Sequence, residues 1–379
     1  MAIIPEYLRL EQELRDRIVK GKIQVGDRLP DEYTLAEQLN TSRPTLRKAL
    51  NILASEGFLK RIPGRGTFIA SPNEQKSQSF YTQYRYFKKM NKGIGVLVPS
   101  IHIYLGAGIV CGAEQRCWEQ CYHVLLGNYE GDPKKEKEYL DLFKHRGVSG
   151  IVSFAGFTSD AKLYLNFIHK GNVPLVFAGS GIEEAGVDIV KTDNIISVSK
   201  SVEELIAEGY RNIGFASIGM QSISARERFI GYREALYKAG LTFYEDYIFT
   251  QHAVMPEEEE IKRAVEMLKN TKIDALFVAN EYTSITFVKA IKQINDKRIS
   301  NLRIVGMDKP DFFDFSGYNI SFIYQPAFKI GMIAADLLID RIEKRMGDVY
   351  TPKKILLPAE KEETLQKHRE VLLKYSYGR

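Results

Sequence analysis

The apolar positions of the N-terminal segment repeat with a helical period three times. Leu10, Leu14 and Ile18 lie at i, i+4 and i+8, with Tyr7 completing their face, and predict a helix from Pro5 to Lys20 that Gly21 stops. After a turn at Gly26-Asp27, Leu29-Pro30-Asp31 opens a second, short helix. Asp31 can cap it, and Leu35, Ala36 and Leu39 form its buried side. Asn40 to Ser42 turn tightly into a third helix. There Thr41 or Ser42 can accept an unpaired first-turn N–H, and Pro44 sits where a missing N–H costs nothing. Leu46, Ala49, Leu50 and Leu53 make one apolar stripe, which leaves Arg43, Arg47 and Thr45 on the outer side. After Gly57 the period changes. Phe58–Ile62 and Thr67–Ala70 are strand-like runs joined by Pro63-Gly64-Arg65-Gly66, a hairpin whose glycines can take positive φ and whose tip is Arg65.

From Gly93 onward, short apolar runs alternate with longer amphipathic stretches. The runs predict strands at Ile94–Val98, Val124–Leu126, Gly150–Phe154, Pro174–Phe177, Ile213–Ala216, Ala275–Ala279, Arg303–Met307 and Ile320–Tyr324. The stretches predict helices at Gly106–Gln120, Lys134–Arg146, Ala161–Lys170, Ser197–Glu208, Arg226–Ala239, Glu257–Asn270, Ser284–Ile294 and Lys329–Lys344. Such alternation gives an α/β architecture of parallel, doubly wound strands. About 290 residues are long for one sheet, so two lobes are expected, with a cleft beyond the carboxyl ends of the strands. Ser71 to Lys92 marks the boundary. Residues 71–79 are polar and linker-like, whereas Phe80 to Met90 is aromatic and basic and is expected to pack on a domain or a partner chain, with DNA binding as the alternative.

Charge sharpens this division. Residues 1–92 hold 17 Lys+Arg and 10 Asp+Glu, a balance of +7; the remaining 36 and 38 give −2. A basic small domain on a slightly acidic large one points to a polyanion partner for the first alone. The chain has no run of 18 apolar residues and no secretory signal at Met-Ala-Ile-Ile-Pro-Glu, so a cytoplasmic location without membrane contact is expected. Cys111, Cys117 and Cys121 have neither a zinc nor an iron–sulfur spacing and are expected to be buried thiols; no metal or cofactor is expected. No G-x-S-x-G and no Walker motif occurs, and the six histidines are scattered, which leaves an enzyme unsupported.

Two short helices with a basic second member make a helix-turn-helix, and a hairpin behind it makes a wing. Arg43 and Arg47 can grip guanine or phosphate with planar forks, and Arg65 can reach a minor groove or the backbone. Residues 5–70 resemble the winged helix of the GntR family of bacterial transcription regulators. The resemblance is carried by Gly26-Asp27-Arg28-Leu29-Pro30-Asp31-Glu32, Leu35-Ala36, Ser42-Arg43-Pro44-Thr45-Leu46-Arg47-Lys48-Ala49-Leu50 and Gly64-Arg65-Gly66-Thr67-Phe68. It implies that Ser42, Arg43, Thr45, Arg47 and Gly64 contact DNA; with Arg65 at the hairpin tip and Arg28 of the matched motif they form the expected DNA-binding set. Tyr33 stands where some members carry a DNA-binding arginine.

The loops after the predicted strands carry Tyr104, Arg226, Asn280, Asp308 and Gln325, a set that can hydrogen-bond hydroxyls and stack on a sugar face. From about Gly93 to Pro358 the chain resembles the LacI-type effector domain, which is similar to periplasmic sugar-binding proteins. Gly93-Ile-Gly-Val-Leu-Val-Pro99, the stretch from Ser224-Ala-Arg226 to Leu236, Ala279-Asn280, Ile304-Val-Gly-Met-Asp308 and Ile323-Tyr-Gln325 carry it. The resemblance implies that Arg226, Asn280, Asp308 and Gln325 lie near an effector, with Tyr104 beside them. Ala178-Gly179-Ser180 stands where the family has an aspartate, and the family's hinge helix is absent.

The whole predicts an α/β protein: an N-terminal winged helix-turn-helix (1–71), a linker (72–92), a two-lobed periplasmic-binding-protein-like domain of parallel doubly wound sheets (93–360) and a C-terminal tail (361–379). The expected function is a DNA-binding repressor of a carbohydrate-use operon, acting as a homodimer on a pseudo-palindromic double-stranded operator and controlled by a small sugar between the lobes. The alternative is a regulator whose C-terminal domain only dimerises or binds a non-sugar metabolite.

Overall fold

The computed structural model describes residues 6–19, 21–55, 58–70, 92–170, 173–252, 255–310, 312–343 and 351–362. The linker expected at 72–92 and the tail expected at 361–379 lie outside the described residues, apart from Lys92, Lys361 and Glu362. The chain divides into two compact units, Met1–Asn91 and Lys92–Arg379.

In the first unit, α1 (Glu6–Val19), α2 (Glu32–Gln38) and α3 (Arg43–Ser55) precede the antiparallel hairpin β1 (Leu59–Ile62) and β2 (Gly66–Ile69). The stripe read from the sequence is the core: Leu46, Ala49, Leu50 and Leu53 of α3 are buried with Leu14, Leu35, Ala36 and Phe58. Asp31 caps α2 by accepting from the backbone N–H of Tyr33 and Thr34, both at 3.0 Å. Ser42, rather than Thr41, caps α3, its Oγ accepting from Thr45 N–H at 3.3 Å. The hairpin turn requires its glycines, Gly64 at φ +72° and Gly66 at φ +110°. The segment before α2 lines up beside β2: Leu29 N–H donates to Thr67 O (2.9 Å), and Ile69 N–H to Asp27 O (2.8 Å).

The second unit contains two six-stranded sheets. The first lobe builds β3 (Gly93–Val98), α4 (Tyr104–Glu119), β4 (His123–Asn128), α5 (Pro133–His145), β5 (Gly150–Ser153), α6 (Ala161–Lys170), β6 (Leu175–Ala178) and β7 (Asp188–Thr192). The chain then crosses to the second lobe for α7 (Asn194–Ala207), β8 (Ile213–Ile218), α8 (Ile223–Lys238), β9 (Ile248–Gln251), α9 (Glu257–Asn270), β10 (Ala275–Val278), α10 (Glu281–Lys292), α11 (Lys297–Ser300), β11 (Arg303–Met307) and β12 (Ile320–Tyr324). It returns for α12 (Ala327–Ile342) and β13 (Lys354–Leu357), and crosses once more to β14 (Glu360–Lys361). The strand orders are β13-β7-β6-β5-β3-β4 and β14-β12-β11-β10-β8-β9, parallel except for β14 against β12. Helices cover both faces of each sheet, so the central strands are mostly apolar, with Ser153 of β5 and Ser217 of β8 as buried polar exceptions.

Several features depart from the sequence reading, among them the short strands β13 and β14 and the short helix α11. Strand β7 was not expected, because Asp188 and Lys191 break its apolar run. Both are buried, Asp188 under Arg341 (Nε to Oδ2, 2.9 Å) and Lys191 under Glu227 (2.5 Å). Strand β9 is a short edge with only Phe249 buried. The thiols are not uniformly buried. Cys117 shares the inner face of α4 with Ile109 and Ala113, whereas Cys111 is exposed.

Candidate functional site

In the first unit the polar face of α3 is open. Arg43, Arg47 and the capping Ser42 are exposed, and the Thr45 hydroxyl lies 2.6 Å from Ser42 Oγ. Arg47 donates through Nε (2.9 Å) and Nη2 (2.7 Å) to Glu32 Oε2 on α2. The other oxygen of Glu32 lies 3.9 Å from Arg61 on the wing, and Arg61 also donates to Asn51 of α3 at 2.8 Å. One carboxylate thus ties the second helix to guanidinium groups on the third helix and on the hairpin. Gly64 and Arg65 form the exposed tip. Arg28 is exposed and forms an antiparallel bridge with Phe68 of β2 from the segment before α2, so that its guanidinium lies over Gly66.

In the second unit β10, β11 and β12 are neighbours in parallel register, so the residues following them stand side by side: Asn280, Asp308 and Gln325. Asp308 is buried and holds a left-handed φ of +59°, which an aspartate tolerates better than most side chains. Gln325 fixes it twice, donating from its backbone N–H to Oδ1 (2.8 Å) and from Nε2 to Oδ2 (2.6 Å). Gln325 Oε1 in turn accepts from Thr192 Oγ1 at 3.0 Å, across the first and second crossings between the lobes. Asn280 caps α10: its Oδ1 accepts from Thr283 N–H (3.0 Å) and Thr283 Oγ1 (2.9 Å). Its Nδ2 is buried and has no partner among the described residues, and such a donor costs free energy until something accepts from it.

The arginine beside this group is Arg228. It is buried, donating from Nε to Asn194 Oδ1 (2.8 Å) and from Nη1 to Ala279 O (2.5 Å), one residue before Asn280. Burial raises the Asp308 carboxyl above its usual range against the opposing pull of Gln325 and of the Arg228 charge. Burial also lowers Arg228 from its ordinary value, opposed by Asp308 and Glu227. Arg226 stands elsewhere. It is exposed, and its Nη1 donates to Gln221 O (2.5 Å) and Met220 O (3.4 Å) of its own loop. The signal that separates them is periodicity: Ala225, Arg228, Tyr232 and Ala235 share the buried stripe of α8, and Arg226 falls off it.

Tyr104 begins α4 in the first lobe. Its N–H donates to Glu281 Oε1 of the second lobe at 2.7 Å, and its ring meets that of Tyr324 with centroids 5.4 Å apart. Glu281, Tyr324, Thr192, Asn194 and Arg228 were not singled out from the sequence. Thr192 and Tyr324 end strands, and Asn194 and Glu281 open helices just after strands, but nothing local distinguishes these four from caps or core residues; Arg228 alone carries the periodic signal described above. A cavity of about 390 Å³ lined by Ser201, Glu204, Arg303 and Lys361 lies toward the opposite end of α7 and takes in none of these groups. Among the described residues no cluster of His, Cys, Asp or Glu could hold a metal ion, and no helix is long and apolar enough to cross a membrane.

Two family models match the chain. That of the bacterial regulatory proteins of the gntR family matches residues 6–69. That of the periplasmic binding proteins and sugar binding domain of the LacI family matches residues 91–309. An arabinose metabolism transcriptional repressor of Geobacillus stearothermophilus is 27% identical over 375 residues, covering 95% of this chain and 98% of its own. Among solved structures, a transcriptional regulator CelR–cellobiose complex superimposes with a TM-score of 0.61 at 18% identity over 88% of this chain and 98% of its own. A LacI family transcriptional regulator from Enterococcus faecium with bound ribose gives 0.59 at 22% identity over 72% of this chain and 97% of its own. These two likenesses are of fold. The LacI-type match takes in more than half of the residues, and the chain therefore belongs to the family of periplasmic binding proteins and LacI-type sugar-binding domains, joined to a DNA-binding head of the gntR family.

Proposed function

We propose that the chain is a transcriptional repressor of carbohydrate-use genes whose hold on DNA is set by a small sugar bound between the two lobes. The observation that carries the sugar site is the buried, unpartnered Nδ2 of Asn280, one residue from the carbonyl that accepts from Arg228 and in line with Asp308 on the next strand. A donor amide, a guanidinium, a carboxylate held by Gln325 and an aromatic ring from the other lobe, Tyr104, suit the alternating hydroxyls and apolar face of a sugar. In this reading Arg228 supplies the guanidinium, and Arg226 shapes the loop at 220–221. The alignment with an arabinose repressor along nearly the whole chain supports the operon class, and pentoses are the first candidates.

At the head, Arg43, Arg47, Thr45 and Ser42 read base edges and adjoining phosphates in the major groove, and Arg28, Gly64 and Arg65 of the wing contact the flanking groove or backbone. One head spans few base pairs, so the protein acts as a cytoplasmic homodimer on a two-fold-related operator. Ligand binding selects one lobe arrangement and so alters the spacing of the two heads.

The test is a thermal melt of the intact chain with arabinose, ribose and cellobiose, followed by titration of the stabilising sugar into a complex with DNA selected from a random library. Saturation at about 100 times Kd adds roughly 2.7 kcal/mol to the domain that binds. Stabilisation followed by a change in DNA affinity is the expected result. DNA binding with no response to any sugar would leave the second unit as a dimerisation domain or a sensor of another metabolite.

A further inference from the structure

The three crossings between the lobes are pinned to one another. Thr192 bonds Gln325, the Asp193 N–H donates to Leu357 O at 2.7 Å, and the Ala359 N–H donates to Ser197 Oγ at 2.9 Å. Beside this joint runs a buried polar chain. Lys191, on β7 of the first lobe, has a side chain 4% exposed and donates to Glu227 Oε1 on α8 of the second lobe at 2.5 Å. The other oxygen, Glu227 Oε2, accepts from Asn194 Nδ2 at 2.8 Å, and Asn194 Oδ1 accepts from Arg228 Nε at 2.8 Å. Lys191 also lies 3.4 Å from Glu183, which takes a second, exposed bond from Lys354 at 2.7 Å.

We infer that Asn194 is a positioning residue that links the ligand arginine to the inter-lobe pair Lys191–Glu227, so that this chain of groups sets how strongly ligand binding is transmitted to the head. The inference rests on the assignment of Arg228 to the sugar cleft. Asn194 is buried at the first turn after the chain enters the second lobe, and it holds two consecutive residues of α8 at once. A carboxamide is the group the position needs, because it presents an acceptor to the guanidinium and a donor to the carboxylate from one planar head. Asn194, Glu227 and Arg228 ride on the same lobe and keep their mutual geometry when the lobes turn. Lys191 rides on the other. Rotation about the crossings therefore strains or breaks the Lys191–Glu227 bond first, and a ligand drawn against Arg228 biases that bond through the carboxamide.

The test uses the intact chain, the variants Glu227→Gln and Asn194→Asp, and Lys354→Met as a control that removes only the exposed arm. Without ligand, hydrogen exchange is followed at the amides of Asp193 and Ala359, which close the joint. Loss of a hydrogen bond to a charged group predicts about tenfold faster exchange at both in Glu227→Gln and no change in the control. With arabinose, or with ribose or cellobiose if that is the sugar that stabilises the wild type, Kd in Glu227→Gln stays within about threefold of wild type, whereas Asn194→Asp, which alters the acceptor of the ligand arginine, is read through its coupling factor alone. The factor by which the sugar changes DNA affinity falls from the roughly 5–150-fold range of ordinary coupling toward one. A purely structural role would lower stability without separating these two quantities. Unchanged exchange in Glu227→Gln, or a preserved coupling factor, overturns the inference. If no sugar binds the wild type, the cleft assignment falls, and the exchange result alone decides the role of the joint.

Discussion

Arg226 and Arg228 sit two residues apart in the same motif, and the structure gives them opposite surroundings, exposed loop and buried interior. The decisive comparison is Arg226→Ala against Arg228→Lys. Arg228 is 8% exposed, with Nε and Nη1 committed to Asn194 and Ala279 and with the buried Asp308 beside it. Replacing it by alanine would leave the buried Asn194 Oδ1 and Ala279 carbonyl without this donor, about 1–3 kcal/mol each, an effect that confounds folding with binding. Lysine keeps the charge but not the planar fork. The loss is then at least one charge-assisted hydrogen bond to ligand, about 1.5–3 kcal/mol, or roughly 10–150-fold in sugar Kd. Arg226 is exposed and bonds only its own loop, so Arg226→Ala should stay within about twofold of wild type. Isothermal titration with the sugar found in the melt reads both constants, and unfolding midpoints without sugar confirm that each variant folds. An Arg226→Ala protein that loses sugar while Arg228→Lys retains it would place the ligand on the exposed side of α8 and refute the cleft.

Two further outcomes test other parts of the molecule. Arg47→Ala should weaken binding to the selected operator on the order of ten- to a hundredfold while sugar affinity is unchanged; a matching loss in sugar binding would show that the two units do not act separately. Glu136 is fully buried on α5, its Oε1 accepting from Ser159 Oγ (2.6 Å) and Tyr164 OH (2.7 Å), and burial raises its carboxyl above the ordinary 4.5. A raised acid binds its proton more tightly in the folded state. Its contribution to stability is therefore full below about pH 4.5 and is lost as pH rises through the folded value. Measured by urea unfolding, the wild-type stability minus that of Glu136→Gln should fall as pH rises from 4.5 toward 8, and a flat difference would show that the carboxyl is not perturbed.

The sequence displayed the frame of both units because burial there is periodic and apolar. The stripe Leu46–Ala49–Leu50–Leu53 could only be the inner face of α3, and the paired glycines of the wing could only be a turn. The same logic located Asn280, Asp308 and Gln325, since in a parallel sheet the residues after adjacent strands must stand together. What stayed hidden was burial of charge. Asp188 and Lys191 make β7 look like a loop until Arg341 and Glu227, far away in the chain, arrive to compensate them. Arg228 was concealed in the same way. A guanidinium on an apolar stripe reads as an interruption when only its neighbours in sequence are visible, whereas Arg226, on the polar side, has the profile of a ligand contact. The residues that local patterning passes over are thus those whose charge is balanced by groups distant in sequence: Asp188 by Arg341 within the first lobe, Arg228 by Asn194 and the Ala279 carbonyl within the second, and Lys191 by Glu227 across the joint. A charge buried without such a partner would be too costly to keep. Of these three, Lys191 is the one whose compensation requires both lobes, and it is therefore the buried charge best placed to sense how the lobes are arranged.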